Sequence, residues 1–342
     1  MAERISIWQS YLLRLKRKRL LWRSFRSRHN LKLIRQGNVP DDGVLLFCVL
    51  RNEATRLPYF LEFYRDAGVN HFFFVDNGSD DGTSDLLADQ SDCTVWNTEA
   101  SYREARFGLD WLTWVFMKFG HNRWCLMADV DELLIYDGCD TRKLPELVSA
   151  LEARGHEGFG ALMLDFYPEG ALGKQSYGPG QNPCDVLTHF DAGPFRQVRQ
   201  TPRGNLWLQG GVRERVFFAD AQEKSPTLNK IPLIKWRRSY AWVNSCHALL
   251  PRRLNFIYDG PKGSTPSGAF IHTKFLPEIV SKSETERQRK QHFHHPDQFD
   301  GYYKAVESAP VLYCEHSVRY SGPEQLADLN LISRRTALWD IE

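Results

Sequence analysis

From Val44 onward the chain is written as short apolar runs, each closed by a polar cluster and followed by a helical pattern. Val44–Leu50 ends at Arg51, Asn52 and Glu53; His71–Val75 ends at Asp76, Asn77, Gly78 and Ser79; Trp124–Ala128 ends at Asp129, Val130, Asp131 and Glu132. A run that is apolar at every position, rather than at every second one, marks a strand covered on both faces, as in a buried parallel sheet. Between these runs, Leu57–Ala67 and Phe107–Phe119 carry apolar residues at helical spacing, and Gly68 stands where a helix cap belongs. Thr83 and Ser84 open a further helix through Leu87, and Cys93–Trp96 reads as a short strand. Strands alternating with helices predict a parallel, right-handed, doubly wound sheet. Ligands of such sheets bind at the carboxyl ends of the strands. The three polar clusters all fall there, on one edge.

The later chain is less regular. Leu144–Ala153 reads as a helix and Ala161–Leu164 as a strand ended by Asp165. Residues 168–210, rich in Gly, Pro and Asn, read as long loops. Ser281–Gln291 reads as a charged helix, and the tail after Glu324 as one more. The expected organisation is one compact unit in four stretches: a basic amphipathic segment at 1–40, a ligand-binding half at 41–165, a second half at 166–300 and a helical tail at 301–342.

The N-terminal stretch differs in kind. Arg14, Lys16, Arg17, Lys18, Arg19, Arg23, Arg26 and Arg28 alternate with Trp8, Tyr11, Leu12, Leu15, Trp22 and Phe25, and no acid occurs between Glu3 and Asp41. Such a helix suits either an anionic membrane surface or packing on the domain with a solvated basic face. The chain as a whole carries a net charge of only +2 and has no known nucleic-acid module, so no nucleic-acid partner is expected. The seven dispersed Cys form no C-x-x-C pair, which fits reduced thiols and a cytoplasmic chain better than a disulfide framework. No stretch is long and apolar enough to cross a bilayer and no signal peptide is evident, so any membrane contact is expected to be peripheral, on the inner face.

The acidic segment at 129–132 carries the chemistry. Three carboxylates in four positions beside apolar runs are costly unless cations or hydrogen bonds compensate them. Hard divalent cations take carboxylate oxygens as ligands. Read as strand, Asp129 and Asp131 point to the same side. Glu132 is left open as a brace.

Arg51-Asn52-Glu53, Val75–Thr83 and Ala128–Glu132, in that order on strand ends, resemble the nucleotide-sugar glycosyltransferases of the GT-A fold. The similarity is greatest to family 2 and the related family 92-like proteins, and it extends over about 44–165 and more loosely over 204–300. The resemblance implies a GT-A sheet with an appended acceptor-side region, and a metal-dependent, inverting sugar transfer. The donor would be a nucleoside-diphosphate sugar, and the acceptor a hydroxyl on a surface glycan or glycolipid. It implies Mn²⁺ or Mg²⁺ on Asp131 and Asp129, with His272 completing the metal site. The nucleotide sugar would meet Arg51, Glu53, Asp76, Asn77, Asp129, Arg106 and Lys274. The segment Gly210-Gly211-Val212-Arg213-Glu214 is similar to an acceptor-side loop of family 2, which makes Glu214 the first candidate for the base, with Asp165 and Asp220 as rivals. Lys235–Arg238 with Trp242 would line an acceptor wall.

Blander readings stand beside these. Asp76 and Asn77 suit a turn, Asp80 and Asp81 a helix cap, Arg106 a surface ion pair, Arg213–Arg215 a structural charge cluster and His272 a core position. His247 is a weaker alternative to His272, and His292, His294 and His295 suit a solvated turn. Two other functions compete: a nucleotidyltransferase, disfavoured because no glycine-rich loop follows the first strand, and a non-catalytic polysaccharide- or partner-binding protein on the same fold.

Overall fold

The computed structural model describes residues 4–280, 282–283 and 296–339, with the side chains of 296–300 and of 337 outside that description. Its centre is an eleven-stranded mixed sheet. The strands before the midpoint are β1 (Lys32–Arg35), β2 (Val44–Leu50), β3 (Val69–Asp76), β4 (Cys93–Asn97), β5 (Trp124–Met127), β6 (Glu132–Ile135) and β7 (Gly158–Tyr167). Those after it are β8 (His189–Asp191), β9 (Phe195–Gln200), β10 (Asn205–Gly210), β11 (Asn229–Lys235), β12 (Ala241–Asn244), β13 (Ala248–Leu250), β14 (Ser267–His272) and β15 (Ser317–Arg319). The main path runs β1-β4-β3-β2-β5-β11-β7-β14-β6, with β8 joined to β7 and β15 to β8, while β9–β10 and β12–β13 are separate two-stranded sheets.

The block β4-β3-β2-β5 is parallel throughout. Its sequence explains its burial. In β3, Phe72 and Phe74 point to one face and Phe73 to the other, because side chains alternate along a strand. Phe74 meets Phe60 of helix α2 (Leu57–Asp66), whereas Phe73 meets Phe119 of α4 (Leu109–Phe119) at 4.7 Å between ring centroids. Phe47 of β2 stacks on Phe116 of α4. With a helix on each face, neither face can be polar, hence the unbroken apolar runs. α3 (Thr83–Ala88) follows β3, and α1 (Ile7–Ser27) lies along α4.

Beyond β5 the sheet turns mixed: β11 is antiparallel to both neighbours, and β14 is parallel to β7 and antiparallel to β6. β5 and β6 are consecutive in the chain yet four places apart in the strand order. Four strand spacings of ~4.8 Å amount to ~19 Å on a flat sheet. The link contains a turn, closed by Glu132 N donating to the Asp129 carbonyl at 3.0 Å, whose ends lie within ~7 Å. The sheet therefore curls back, so that β6 returns beside the end of β5. That curl gathers the carboxylates of 129–132 beside β14.

α5 (Leu144–Ala153) matches its expected bounds, and α6 (Gly211–Phe217), α7 (Pro296–Glu307), α8 (Pro323–Asp328) and α9 (Arg335–Trp339) complete the helices named here. Four expectations change. Residues 168–210 are not only loops: Phe195–Gln200 and Asn205–Gly210 pair as a regular antiparallel hairpin. Asp165 does not end its strand but lies inside the ten-residue β7. The tail after Glu324 holds two short helices instead of one. Trp236 and Trp242 are fully buried and stack on each other at 5.4 Å, so they belong to the core and not to an open wall. The expected helix at Ser281–Gln291 falls almost wholly outside the described residues, as do His292, His294 and His295. All seven cysteines are free, and among the described residues no helix is long and apolar enough to cross a membrane.

Candidate metal centre

Three strands place one row of side chains. In the register of β14 with β7, His272 stands opposite Asp165; in that of β14 with β6, it stands opposite Glu132. Directly paired residues point to the same face with Cβ atoms ~5 Å apart, so Glu132, His272 and Asp165 form a line across β6, β14 and β7. Asp131, one residue before β6, reaches the same line from the turn. Thr273 fixes that turn, its N–H donating to the Asp131 carbonyl at 2.7 Å and its hydroxyl to the same oxygen at 3.1 Å.

His272 is held on both sides. Its Nδ1 lies 2.5 Å from Asp165 Oδ1 and its Nε2 lies 3.2 Å from Asp131 Oδ2. The other Asp165 oxygen accepts from Arg213 Nε at 2.7 Å. Burial by itself would raise the Asp165 pKa; the Arg213 charge and the His272 contact overcome it and hold the carboxyl at about 2. An ionised carboxylate on Nδ1 fixes the imidazole tautomer and aims Nε2 at Asp131, the arrangement by which outer partners orient metal-binding histidines. Burial works against a charge on His272, but Asp131 and Asp165 raise its pKa, and Asp131 is held well below the ordinary carboxylate range chiefly by His272, with Arg56 and Lys274 adding to it.

Glu132 is buried with Lys230 of β11, Nζ to Oε1 at 2.6 Å. The register of β11 against β7 shifts between Lys230 and Leu233, where Pro232 sits, and such irregularities re-aim side chains. Burial opposes the charge on Lys230, yet the surrounding groups, Glu132 and Asp129 among them, raise its pKa. Among the described residues Asp129 has no such direct partner: burial and the Glu132 charge push its pKa up to about 7.

Among the described residues, Asp131, Glu132 and His272 offer ligand atoms within 4.8 Å of one another and could hold a metal ion. Two carboxylates and an oriented imidazole are a coherent donor set for a divalent cation. The expected set changes in two respects. Glu132 is part of the trio and Asp129 is not, and Asp129 and Asp131 share a turn, so the strand argument that put them on one side does not apply. Asp129 instead donates its backbone N–H to Glu132 Oε2 at 3.3 Å.

Cationic groups face the trio. Arg213 and Lys274 both act electrostatically on Asp165 and Asp131. Lys274 makes no ion pair among the described residues and lies 6.0 Å from the Tyr302 ring centroid; burial and the nearby Arg213 lower its pKa. Among the described residues, Arg213 Nη2 and Tyr302 Oη are buried without a hydrogen-bond partner. Buried polar atoms normally have partners, and these two could donate to a ligand, although core atoms such as Trp111 Nε1 and Tyr258 Oη share that state.

The remaining sequence candidates are engaged locally. Asp76 is buried, its Oδ1 accepting from Ser79 N–H and hydroxyl and its Oδ2 from the Ser84 hydroxyl. Asn77 donates to the carbonyls of Thr98 and Ala100. Arg51 donates to the Asn77 carbonyl at 2.9 Å. Glu53 pairs with Arg56 and Lys282. Arg106 pairs with Asp110 one turn later and donates to the Trp242 carbonyl, which leaves it an ion-pair role in place of a diphosphate contact. His247 is half-buried, its Nδ1 against the Asn229 carbonyl. Glu214 lies on α6, not in a loop, with Oε2 accepting from Arg196 at 2.6 Å and from Ser225 at 2.7 Å. The glycines before it supply the break from β10: Gly210 and Gly211 both have positive φ, and a Cβ at Gly210 would collide with the Pro194 carbonyl.

Arg213, Tyr302 and Lys230 were the groups that sequence reasoning missed as parts of the site. Arg213 stood in the Gly-Gly-x-Arg segment and carried a signal; the other two had none. No protein-family model matches the chain, and no curated protein matches its sequence.

Proposed function

We propose that the chain is a metal-dependent glycosyltransferase of GT-A type. It would move a sugar from a nucleoside-diphosphate sugar to a hydroxyl acceptor on a glycan or glycolipid, with inversion. One observation carries this reading. The trio of Asp131, Glu132 and His272 is faced by Lys274 and by Arg213, whose buried Nη2 has no partner. A candidate cation centre faced by two cationic side chains, one with a buried unpaired nitrogen, suits an oxygen-rich anion that binds metal and protein together, and a diphosphate is such a group.

Mn²⁺ or Mg²⁺ held there would stabilise the charge that develops on the leaving diphosphate. Arg213 and Lys274 would neutralise the oxygens that the metal leaves uncovered, Arg213 through its planar fork. Asp165, with both oxygens taken and its proton affinity depressed, suits a brace for His272 and Arg213 better than a base. The base that takes the acceptor proton would be Glu214, on the resemblance of its segment to the family 2 acceptor-side loop. The strand-end loops at 51–53 and 76–83 would shape the nucleotide side.

The test is a thermal-shift screen of nucleoside diphosphates with and without Mn²⁺, followed by donor hydrolysis. A ligand at ~100 times its Kd stabilises by ~2.7 kcal/mol. The expected result is a metal-dependent shift for at least one nucleotide, abolished in Asp131→Ala along with hydrolysis. No shift by any nucleotide, with or without metal, would remove the reading.

A further inference from the structure

The N-terminal helix α1 is apolar on two opposite sides, and the domain covers only one. Its inner side packs Leu13 and Leu20 against Ala241 and Leu250. Arg23 fixes it further, pairing with buried Asp110 at 2.9 Å and donating to the Glu104 carbonyl. A capping box of Ser6 and Gln9 starts the helix.

The outer side repeats Trp8, Tyr11, Leu15, Trp22 and Phe25 at three- and four-residue steps, which puts them on one stripe of a helix. Trp8 is 65% exposed, Trp22 58% and Phe25 48%, and Ile7 beside them is 92% exposed. Large aromatics seldom stand in line in water on a soluble surface, and an exposed patch of this kind marks a binding face.

Charge identifies the occupant. Arg4, Arg14, Lys18, Arg19 and Arg26 are exposed beside the stripe, and α1 contains no acid. Among the described residues, Arg23, on the inner side, is the basic group of α1 that pairs with an acid. Two guanidiniums already lie over outer rings, Arg26 on Trp22 at 4.7 Å and Arg28 on Phe25 at 3.6 Å from the centroid. A second copy of this helix would bring like charges together. An anionic lipid surface would accept the rings at the level of its acyl boundary while the long basic side chains reach its phosphates.

We propose that the outer stripe of α1 docks the folded chain onto an anionic lipid surface, with Trp8, Tyr11, Leu15, Trp22 and Phe25 inserted and Arg14, Lys18, Arg19 and Arg26 on the headgroups. This docking stands independently of the sugar-transfer reading, because none of these residues belongs to the metal centre.

Co-sedimentation of the full chain with vesicles tests it. Phosphatidylcholine vesicles containing phosphatidylglycerol are expected to bind at least tenfold better than phosphatidylcholine alone, and raising salt from ~0.1 M to ~1 M, which shortens the screening length from ~10 Å to ~3 Å, weakens that binding. The triple variant Trp8→Ser, Trp22→Ser, Phe25→Ser loses at least tenfold with its melting temperature retained, because the substituted side chains face outward. The variant Arg14→Glu, Lys18→Glu, Arg19→Glu loses the preference for anionic vesicles. Equal binding to both vesicle types, or unchanged binding in both variants, overturns the proposal. So does a concentration-dependent dimer, or retention on nucleic acid, that the ring variant abolishes while vesicles bind nothing.

Discussion

The two acid-rich regions of the sheet edge look alike in sequence and differ in how their charges are met. At the ends of β2 and β3, the polar groups satisfy one another. Asp76 takes Ser79 and Ser84; Asn52 and Asp80 exchange hydrogen bonds; Asp81 accepts from Thr83 and from the Ala54 N–H. In the curl between β5 and β6, the groups are oriented but not closed. His272 stands between two carboxylates, Asp129 has its pKa raised to about 7, and Arg213 and Tyr302 keep buried donors without partners. The first region is a self-contained set of turns that holds loops in place. The second holds the trio that could bind a metal ion.

The sharpest way to break this contrast is to remove a charge that the second region needs for its fold. Lys230→Met leaves Glu132 buried without its partner, so stability should fall by about 3–5 kcal/mol. Adding Glu132→Gln should recover most of that loss. Urea denaturation measures both, and equal stability of Lys230→Met and the parent would show that the pair contributes nothing.

A control at the opposite end of β3, away from both regions, uses pH. His71 on β3 is buried against Thr94, and burial lowers its pKa to about 4. The unfolded chain binds this proton from about pH 6.5 downward while the folded chain refuses it until about 4, so stability should fall as pH drops through that window and stay level above it. The full loss is about 3 kcal/mol. Denaturation at pH 7.5 and 4.5 should show this loss reduced in His71→Gln; an identical pH dependence would assign it to other groups.

Asp165→Asn tests the brace inside the site. Losing an outer partner of a metal ligand costs ~10–100-fold in affinity or activity. Mn²⁺ titration by calorimetry should show a loss in that range, with Asp131 and Glu132 intact. Affinity within a factor of two of the parent would mean that His272 is not a ligand. The smallest effect belongs to Asp76→Ala. Removing the acceptor of two partly buried hydroxyls costs ~1 kcal/mol of stability, and Mn²⁺ affinity should change less than threefold. A larger change would join the two regions into one site.

The parallel block was legible because both its faces are covered: Val44–Leu50 appears with the bounds its residues suggest, as does the helix Leu144–Ala153 outside it. The hairpin at 195–210 was hidden because the exposed side chains of β9, such as Arg196 and Gln197, break the apolar pattern. Arg106 looked available until Asp110, one helical turn on, came to face it. Asp165 looked like a strand end because its carboxylate interrupts an apolar run; in the fold, Arg213 and His272 compensate it and the strand continues through it.

By itself, then, the sequence determined the alternating core, the acidic segment at its edge and the basic amphipathic helix, since each depends on neighbours a few residues apart. Only the tertiary structure decided that the segment is a turn, that the sheet curls to return β6 beside β5, and that Lys230, Asp165, Arg213 and His272 meet there. Those contacts depend on strand register and sheet closure, which join residues far apart in the chain and leave no periodic trace in it.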